Sequence, residues 1–178
     1  MPKVPQKIIK FLDKSKIKYE IIKHRTVYTA FDKAATLRVK PNLIGKTLVV
    51  KSDSDLAIVL IPANKNLDKN KFKNRASIYG SEGKEENGVL FAKSAKAQKA
   101  DFASEKLMKN KLKGVKIGAI PPFGDLWKLP TFIDRGLFNN PKIIINSGDY
   151  NFSIKITPTN LKKLTPNLII GNFSKSRR

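Results

Sequence analysis

The 178-residue chain contains no cysteine and only one histidine, His24. The absence of cysteine excludes disulfides, thiolate zinc sites, iron–sulfur clusters and cysteine nucleophiles. A single histidine excludes a histidine-rich metal site, and any Ser–His–Asp triad would have to use His24. The sequence therefore leaves no cysteine-based chemistry and no histidine-rich metal site to consider.

Acidic residues are also scarce, because 14 Asp and Glu residues stand against 36 Lys and Arg residues, giving a formal net charge of +22. A charge of this size attracts polyanions such as nucleic acids. No run of 18 consecutive apolar residues is present, so no transmembrane helix is indicated. Charged residues interrupt the apolar stretch near the N-terminus, which therefore lacks the core of a signal peptide. We expect a cytoplasmic protein with no membrane partner.

The chain nevertheless has the composition of a folded protein, with 40% hydrophobic residues and a length that suits one domain. Apolar periodicity and turn residues predict a mixture of helices and strands. The helices are expected over 4–14, 29–40, 100–113 and 159–164, and the strands over 18–22, 47–50, 56–61, 131–134, 142–146, 152–156 and 168–170. This pattern predicts a single α+β or mixed α/β domain, with helices around a curved, barrel-like mixed β-sheet.

Three further segments have no clear periodicity. Residues 65–75 form a very basic helix or loop, residues 80–88 an exposed loop, and residues 175–178 a frayed tail.

Lys46 is the first candidate functional residue. The sequence Gly45-Lys46-Thr47 is similar to the end of a phosphate-binding P-loop. However, Lys40 occupies the position that needs the first glycine, and a strand follows where the motif needs a helix. Lys46 begins this strand among apolar residues, where it would offer a compact cation to a phosphate or carbonyl oxygen in a cleft. The alternative is a solvated lysine at a strand end.

Residues 118–124 form a second candidate, because two glycines bracket two adjacent prolines. Glycine lets the backbone approach a ligand closely, and proline fixes φ and makes the loop rigid. Inward-facing N–H groups of such a loop could form an oxyanion hole or dock a substrate carbonyl. The alternative is a rigid turn without a ligand.

Other residues carry weaker signals. His24 suits a general base, or a packing or hydrogen-bonding residue. Trp127 and Lys128 could flank a nucleic-acid surface, although Trp127 suits a core position equally well. Eight lysines between Lys93 and Lys116 form either a phosphate-binding face or a solvated one.

Taken in order, several segments resemble one family. They are residues 19–30, 45–50, 56–64 with Leu67-Asp68, 118–124, 131–134 and 146–148. This ordered set is similar to the YbaK/ProX-type aminoacyl-tRNA deacylases, the editing-domain family associated with bacterial prolyl-tRNA synthetases. The resemblance implies one editing domain over residues 1–178, with its core at about 8–164 and a basic C-terminal extension at 165–178.

The resemblance implies a stand-alone trans-editing hydrolase that cleaves the ester between a wrong amino acid and the 3′ end of a tRNA. The partners would be mischarged tRNA and an aminoacyl-tRNA synthetase. By the family pattern, Lys46 organises the pocket. The loop positions that would hold the aminoacyl carbonyl and ribose are Gly118, Ile120, Pro122 and Gly124. The matched substrate-side positions are His24, Thr29, Phe31, Thr47, Asn146, Ser147 and Gly148. The resemblance implies a hydrolysis that needs neither a metal nor another cofactor, because an ester already has a good leaving group.

The sequence departs from the family at several places. Pro121 stands where the family often has Ser or Thr, and Ser153 where some members have Asp. The segment after Ser147 is one residue shorter, and residues 80–88 resemble an insertion. Two alternatives therefore stay open, a tRNA-, RNA- or synthetase-binding module without activity and an unrelated basic nucleic-acid protein. The enzyme hypothesis makes one geometric prediction: Lys46 and the 118–124 loop converge on one hollow.

Overall fold

The computed structural model describes residues 1, 3–52, 55–81 and 99–178, and for residues 77–81 it describes the backbone alone. The helices are α1 (Gln6–Lys14), α2 (Ala30–Leu37), α3 (Lys69–Ser81), α4 (Glu105–Lys111), α5 (Arg135–Phe138) and α6 (Pro158–Leu164). The strands are β1 (Glu20–Lys23), β2 (Gly45–Ser52), β3 (Asp55–Pro62), β4 (Lys65–Leu67), β5 (Ala100–Phe102), β6 (Thr131–Asp134), β7 (Ile143–Asn146), β8 (Phe152–Ile156), β9 (Ile169–Gly171) and β10 (Ser174–Ser176). Short 3₁₀ turns lie at Pro41–Leu43 and Gly124–Trp127.

The described strands form three sheets. The largest has the order β5-β2-β3-β6-β9, with β2 antiparallel to β3 and with β3, β6 and β9 parallel. A second, antiparallel sheet has the order β1-β8-β7, and β10 pairs with β4. A parallel bridge between Ile44 and Ile144 joins the two larger sheets. The predicted mixed α+β class is confirmed, although in the described part of the chain no sheet closes into a barrel.

The β2–β3 hairpin forms where the sequence predicts it, because two apolar runs flank a polar turn. Side chains alternate across each strand, so the central sheet has two faces. Val49, Ile58 and Leu60 lie on one face, in core clusters shared with residues of the 118–124 loop. We call this the loop face. Val50 and Val59 lie on the other, which we call the α3 face, in a core cluster with the α3 side chains. Both faces are covered, which explains the continuous apolar run of β3.

The C-terminal residues are part of the folded structure. Phe173 packs edge-on against Phe72 and Phe132, with ring centroids 6.3 and 5.5 Å away. Strand β10 pairs with β4, so the prediction of a frayed tail over 175–178 is wrong at Lys175 and Ser176. The pairing partner lies far away in sequence, which is why local sequence did not reveal it. The division into a core and a C-terminal extension stays a prediction.

Two helix boundaries also differ from the sequence prediction. Residues 100–102 form strand β5 rather than the start of the predicted helix, and Phe102 is 53% exposed. Helix α4 begins later, because the Ser104 hydroxyl caps it by accepting the N–H of Leu107. The last helix begins at Pro158, one residue earlier than predicted, because the Thr157 hydroxyl caps it by accepting the N–H of Asn160. The basic segment 65–75 contains β4 and part of α3, and most of the predicted 80–88 loop lies outside the described residues.

We predict that Phe173→Ala lowers the free energy of unfolding by about 3–5 kcal/mol, because it empties a fully packed aromatic position. Urea denaturation measures this change. Lys175→Ala, two residues further along the same segment but exposed, is the matched control and should change the value by less than about 0.5 kcal/mol. A loss below about 1 kcal/mol for Phe173→Ala would show that the C-terminal segment is not part of the cooperative fold.

Candidate functional site

The centre of the candidate site is a buried ammonium group on helix α2. Lys33 is 5% exposed, and its Nζ donates to the Asn146 side-chain Oδ1 at 2.5 Å. Burial lowers the Lys33 pKa from 10.5 to about 8. Among the described residues no carboxylate pairs with this ammonium. A buried charge with so little compensation is costly, which makes Lys33 a functional candidate.

Asn146 transmits this contact to the 118–124 loop. An ammonium can only donate, so the amide oxygen must face Lys33 and the amide nitrogen must point away. That nitrogen donates to the Ile120 carbonyl at 3.2 Å. Lys33, Asn146 and the Ile120 carbonyl therefore form one hydrogen-bond chain, which we call the Lys33 chain. It connects α2, the end of β7 and the loop.

The loop itself is held by backbone contacts. The Gly148 N–H donates to the Ala119 carbonyl at 2.7 Å, and the Ala119 N–H donates to Lys116. Gly118 has φ of +88°, a conformation that favours glycine. Gly118 and Ile120 carry N–H groups that find no acceptor within residues 1, 3–52, 55–81 and 99–178. Ile120 is buried, and a buried N–H group normally has a partner.

The far end of the loop is fixed by close packing. A Cβ at Gly124 would collide with the Leu129 carbonyl and the Thr131 hydroxyl, so only glycine fits there. The Gly124 N–H donates to that hydroxyl at 3.0 Å. Pro121 and Pro122 are both buried, and the loop is as rigid as its two prolines predict.

His24 lies close to this chain but has both ring nitrogens engaged. Its Nδ1 lies 2.7 Å from the Arg25 carbonyl and must donate to it, so in a neutral ring Nε2 accepts from the Ser153 hydroxyl at 2.9 Å. Ser153 is fully buried and is the register partner of Asn146 across β7 and β8. The structure therefore shows His24 in a hydrogen-bonding role, with a buried serine hydroxyl as the partner of its Nε2.

Exposed residues line the segment that leads into α2. Tyr28 is 69% exposed and contacts the Tyr150 ring edge-on at 4.9 Å. Phe31 is 49% exposed, and the Arg177 guanidinium lies 5.2 Å from its ring centroid. The Thr29 hydroxyl caps α2 by accepting the N–H of Asp32. Two large exposed aromatic rings thus lie just before α2 and in its first turn.

The remaining predicted substrate-side residues have structural contacts of their own. The buried Ser147 hydroxyl donates to the Phe152 carbonyl at 2.7 Å and closes the turn between β7 and β8. Gly148 has φ of +94° and packs against Pro5 and Val115. Thr47 is different, because its buried hydroxyl has no partner in the described part of the chain. It lies on the loop face of the central sheet, one residue from Lys46.

Lys46 does not meet the loop, and this corrects the geometric prediction. It pairs with Ile61 in the hairpin and so leaves the sheet on the α3 face, whereas Ile120 packs on the loop face. Its Nζ donates to the Lys65 carbonyl at 2.7 Å. Burial, and the nearby charge of Arg177, lower the Lys46 pKa. The cavity at Lys46, about 380 Å³, is lined by β4 and β10 residues and by no residue of the loop.

Sequence reasoning missed Lys33, although the chain carried a signal. Lys33 falls on the same helical face as Ala30, Ala34 and Leu37, which pack in one core cluster. A lysine inside an apolar stripe is unusual enough to be noticed.

Two other sequence candidates make contacts of their own, one in the core and one at the surface. Trp127 is 7% exposed and lies in the core, with its ring N–H bonded to the Lys113 carbonyl. Lys116 forms a 2.6 Å ion pair with Asp149, which is buried. Burial would raise the pKa of Asp149, but the hydrogen bonds from Lys116 and from the Asn151 N–H lower it on balance.

The described residues include neither a membrane-spanning helix nor a cluster of metal-binding side chains. No helix there is long and apolar enough to span a membrane. No group of three or more His, Cys, Asp or Glu side chains lies close enough together to bind a metal ion in that part of the chain.

We predict that the stability of the protein rises with pH because of Lys33. Its native pKa of about 8 lies below the unfolded value of 10.5, so the unfolded state binds more protons between these two pH values. The free energy of unfolding should therefore increase across that window by about 2–3 kcal/mol relative to Lys33→Met, which cannot titrate. Denaturant titrations of both proteins from pH 7 to 10 measure the difference. Parallel curves would show that Lys33 is not buried as a cation.

Comparisons with known proteins complete the description. Residues 81–164 match the family model described as an aminoacyl-tRNA editing domain. Among similar solved structures is a hypothetical protein with TM-score 0.76 and 20% identity, covering 96% of this chain and 100% of that one. Another is a candidate trans-editing enzyme for prolyl-tRNA synthetase, with TM-score 0.76 and 17% identity over 99% of each chain. A candidate signal transduction protein from Marinobacter aquaeolei VT8 has TM-score 0.67 and 11% identity, covering 97% of this chain and 31% of that one. The predicted family resemblance is confirmed.

Proposed function

We propose that this chain, which carries an aminoacyl-tRNA editing domain, hydrolyses the ester between a wrong amino acid and the 3′ end of a tRNA. The observation that carries the proposal is the Lys33 chain. It fixes the Ile120 carbonyl of a rigid loop in which the N–H groups of Gly118 and Ile120 have no acceptor among the described residues.

The reaction needs few groups. A water molecule attacks the acyl carbon, the carbon–oxygen ester bond breaks, and the ribose hydroxyl leaves with a proton. The negative charge that develops on the carbonyl oxygen would accept hydrogen bonds from the N–H groups of Gly118 and Ile120. A single such donor is worth about 10²–10³-fold in rate. Pro122 and Gly124 keep the loop rigid, so these donors are in place before the reaction begins.

Lys33 acts in this proposal as a positioning residue. It is buried beneath the site and contacts the loop only through Asn146, so it orients the loop rather than touching the ester. His24 and Ser153 support the neighbouring strands in the same way. The hydroxyl of Thr47, buried and without a partner among the described residues, is a further polar group beneath the loop face.

The tRNA end would be recognised by the exposed rim. Unpaired bases in RNA stack on exposed aromatic rings, which suits Tyr28 and Phe31. Thr29, Ser147 and Gly148 border the same region as backbone-shaping residues. The net charge of +22 supports a phosphate-rich partner. The similar candidate trans-editing enzyme for prolyl-tRNA synthetase makes mischarged tRNAPro the first substrate class to examine, and that synthetase the first protein partner.

Lys46 is the competing candidate for the key cation. The family pattern gives Lys46 the role of organising the substrate pocket. Arg177 lies close both to Lys46 and to the ring of Phe31, another predicted substrate-side residue. The place of Lys46 on the α3 face favours Lys33 instead. The two lysines therefore form a matched pair for an experiment.

We predict that Lys33→Met lowers the rate of deacylation of mischarged tRNAPro by about 10²-fold. Without the Lys33–Asn146 hydrogen bond the loop can shift, and a displacement of about 1 Å costs about 10²-fold in rate. Methionine keeps the volume of the side chain and removes the buried charge, so the fold should persist. Lys46→Met is the matched variant and should retain deacylation within about threefold. The first-order loss of labelled aminoacyl-tRNA, measured over a panel of mischarged tRNAs, gives both values.

The opposite result, with Lys46→Met inactive and Lys33→Met active, would assign the site to Lys46. If the wild-type protein hydrolyses no member of the panel yet binds tRNA in a salt-sensitive way, the chain is a binding module and the enzyme proposal is wrong.

We also predict a pH dependence of the reaction. Above its pKa of about 8, Lys33 is neutral and holds Asn146 less firmly, since hydrogen bonds from charged donors are stronger. After subtraction of uncatalysed ester hydrolysis, the ratio of the wild-type rate to the Lys33→Met rate should fall as the pH rises from 7 to 9. A ratio that stays constant from pH 7 to 9 would show that the charge of Lys33 does not affect the rate of deacylation.

A further inference from the structure

A large cavity lies outside the candidate site, at the carboxyl ends of the three parallel strands. It is bordered by Pro62 at the end of β3, Asp134 at the end of β6 and Gly171 at the end of β9. Its volume is about 750 Å³, which lies within the usual range of small-molecule sites, about 300–1,000 Å³. Parallel strands commonly place ligands at this edge. None of Lys33, Asn146 or the 118–124 residues lines it.

The cavity is cationic. Lys65, Lys71 and Arg75 line it, and Asp134 supplies the one carboxylate among the described residues of its lining. That carboxylate is 5% exposed and is already bound by three backbone N–H groups, those of Gly136, Phe173 and Ser174, at 2.8–2.9 Å. The negative charge of Asp134 is thus compensated by these N–H groups inside the protein. The described lining therefore offers little negative charge to the three cations that border the cavity.

Two of the three cationic side chains are only loosely engaged. The Lys71 ammonium lies 4.0 Å from an Asp68 carboxylate oxygen and 3.5 Å from the Ser174 carbonyl, and Lys71 is exposed. The Lys65 ammonium lies 3.5 Å from the Ser176 hydroxyl. Contacts this long are weak, so an anion with better geometry can replace them.

Amide side chains supply the remaining polar lining. Four asparagines take part, Asn42, Asn64, Asn74 and Asn172, all of them exposed. Each amide can both donate and accept hydrogen bonds, which suits the mixed edges of a nucleobase and the hydroxyls of a ribose. Arg and Lys suit a phosphate group. Cations and amides together in one cavity match a ligand that contains both kinds of group.

We propose that this cavity binds a nucleoside 5′-phosphate, as a free nucleotide or as one nucleotide of an RNA chain. The phosphate lies against Lys71 and Arg75 of α3, and the nucleoside lies against the asparagines. The proposal does not depend on deacylation, because the cavity shares no lining residue with the Lys33 chain or the loop.

Isothermal titration calorimetry with adenosine 5′-monophosphate tests the proposal on the full chain. The wild-type protein should bind the nucleotide, and the double variant Lys71→Gln/Arg75→Gln should bind it at least about tenfold more weakly, as expected for the loss of charge-assisted hydrogen bonds. Adenosine without phosphate should also bind about tenfold more weakly. Because a strongly basic protein attracts anions everywhere, the control is Lys162→Gln/Lys163→Gln. This variant removes the same charge from exposed positions on α6 that line neither this cavity nor the one at Lys46. The control should bind within about twofold of wild type.

Three results would overturn the proposal: no binding of the nucleotide at millimolar concentration, equal binding by wild type and Lys71→Gln/Arg75→Gln, or an equal loss in the α6 control. Competition then identifies the source of the ligand, since uncharged tRNA displaces the nucleotide if the cavity binds RNA and leaves it bound if the ligand is a free nucleotide. Nucleotide binding by a protein that hydrolyses no mischarged tRNA would support this proposal while refuting the proposed function.

Discussion

One buried charge, the ammonium of Lys33, determines the arrangement of the candidate site. Helix α2 places it beneath the end of β7, where its hydrogen bond to Asn146 offsets part of the cost of burial. The pKa of Lys33 is lowered to about 8, because this hydrogen bond does not fully offset the cost of burying the charge. Because Asn146 must turn its nitrogen toward Ile120, a single interaction aligns a helix, a strand and the 118–124 loop. A protein that kept such a charge for stability alone would gain little, since apolar replacements of buried charges are often neutral or stabilising.

Most of the fold is predictable from sequence because its signals are local. The continuous apolar run of β3 and the paired run of β2 need only one turn to form a hairpin, and the structure contains it. The glycines and prolines of residues 118–124 likewise predict a rigid loop. The C-terminal strands are different, because β9 completes the central sheet and β10 covers β4 through partners far away in the chain. Short strands of three residues carry too little periodicity to reveal such partners.

The site was predictable in part, and the failure has a physical cause. Asn146, Ile120 and His24 were candidates from sequence, and the structure places them close together. The prediction placed Lys46 beside the loop, whereas Lys46 leaves the sheet on the opposite face. The sequence could not show this, because β2 is covered on both faces and the residues around Lys46 in the chain are apolar. Moving by one residue along a strand reverses the face, so sequence could not decide whether Lys46 or Thr47 points toward the loop. Lys33 escaped notice because a lysine in a short helix ordinarily lies at the surface.

A crystal structure with a non-hydrolysable 3′-aminoacylamino-adenosine would test the central claim most directly. The account predicts the acyl carbonyl oxygen within hydrogen-bonding distance of the Gly118 and Ile120 N–H groups, with the Lys33–Asn146–Ile120 contacts intact beneath it. An acyl group bound beside Lys46 on the α3 face, with the 118–124 loop unoccupied, would contradict it.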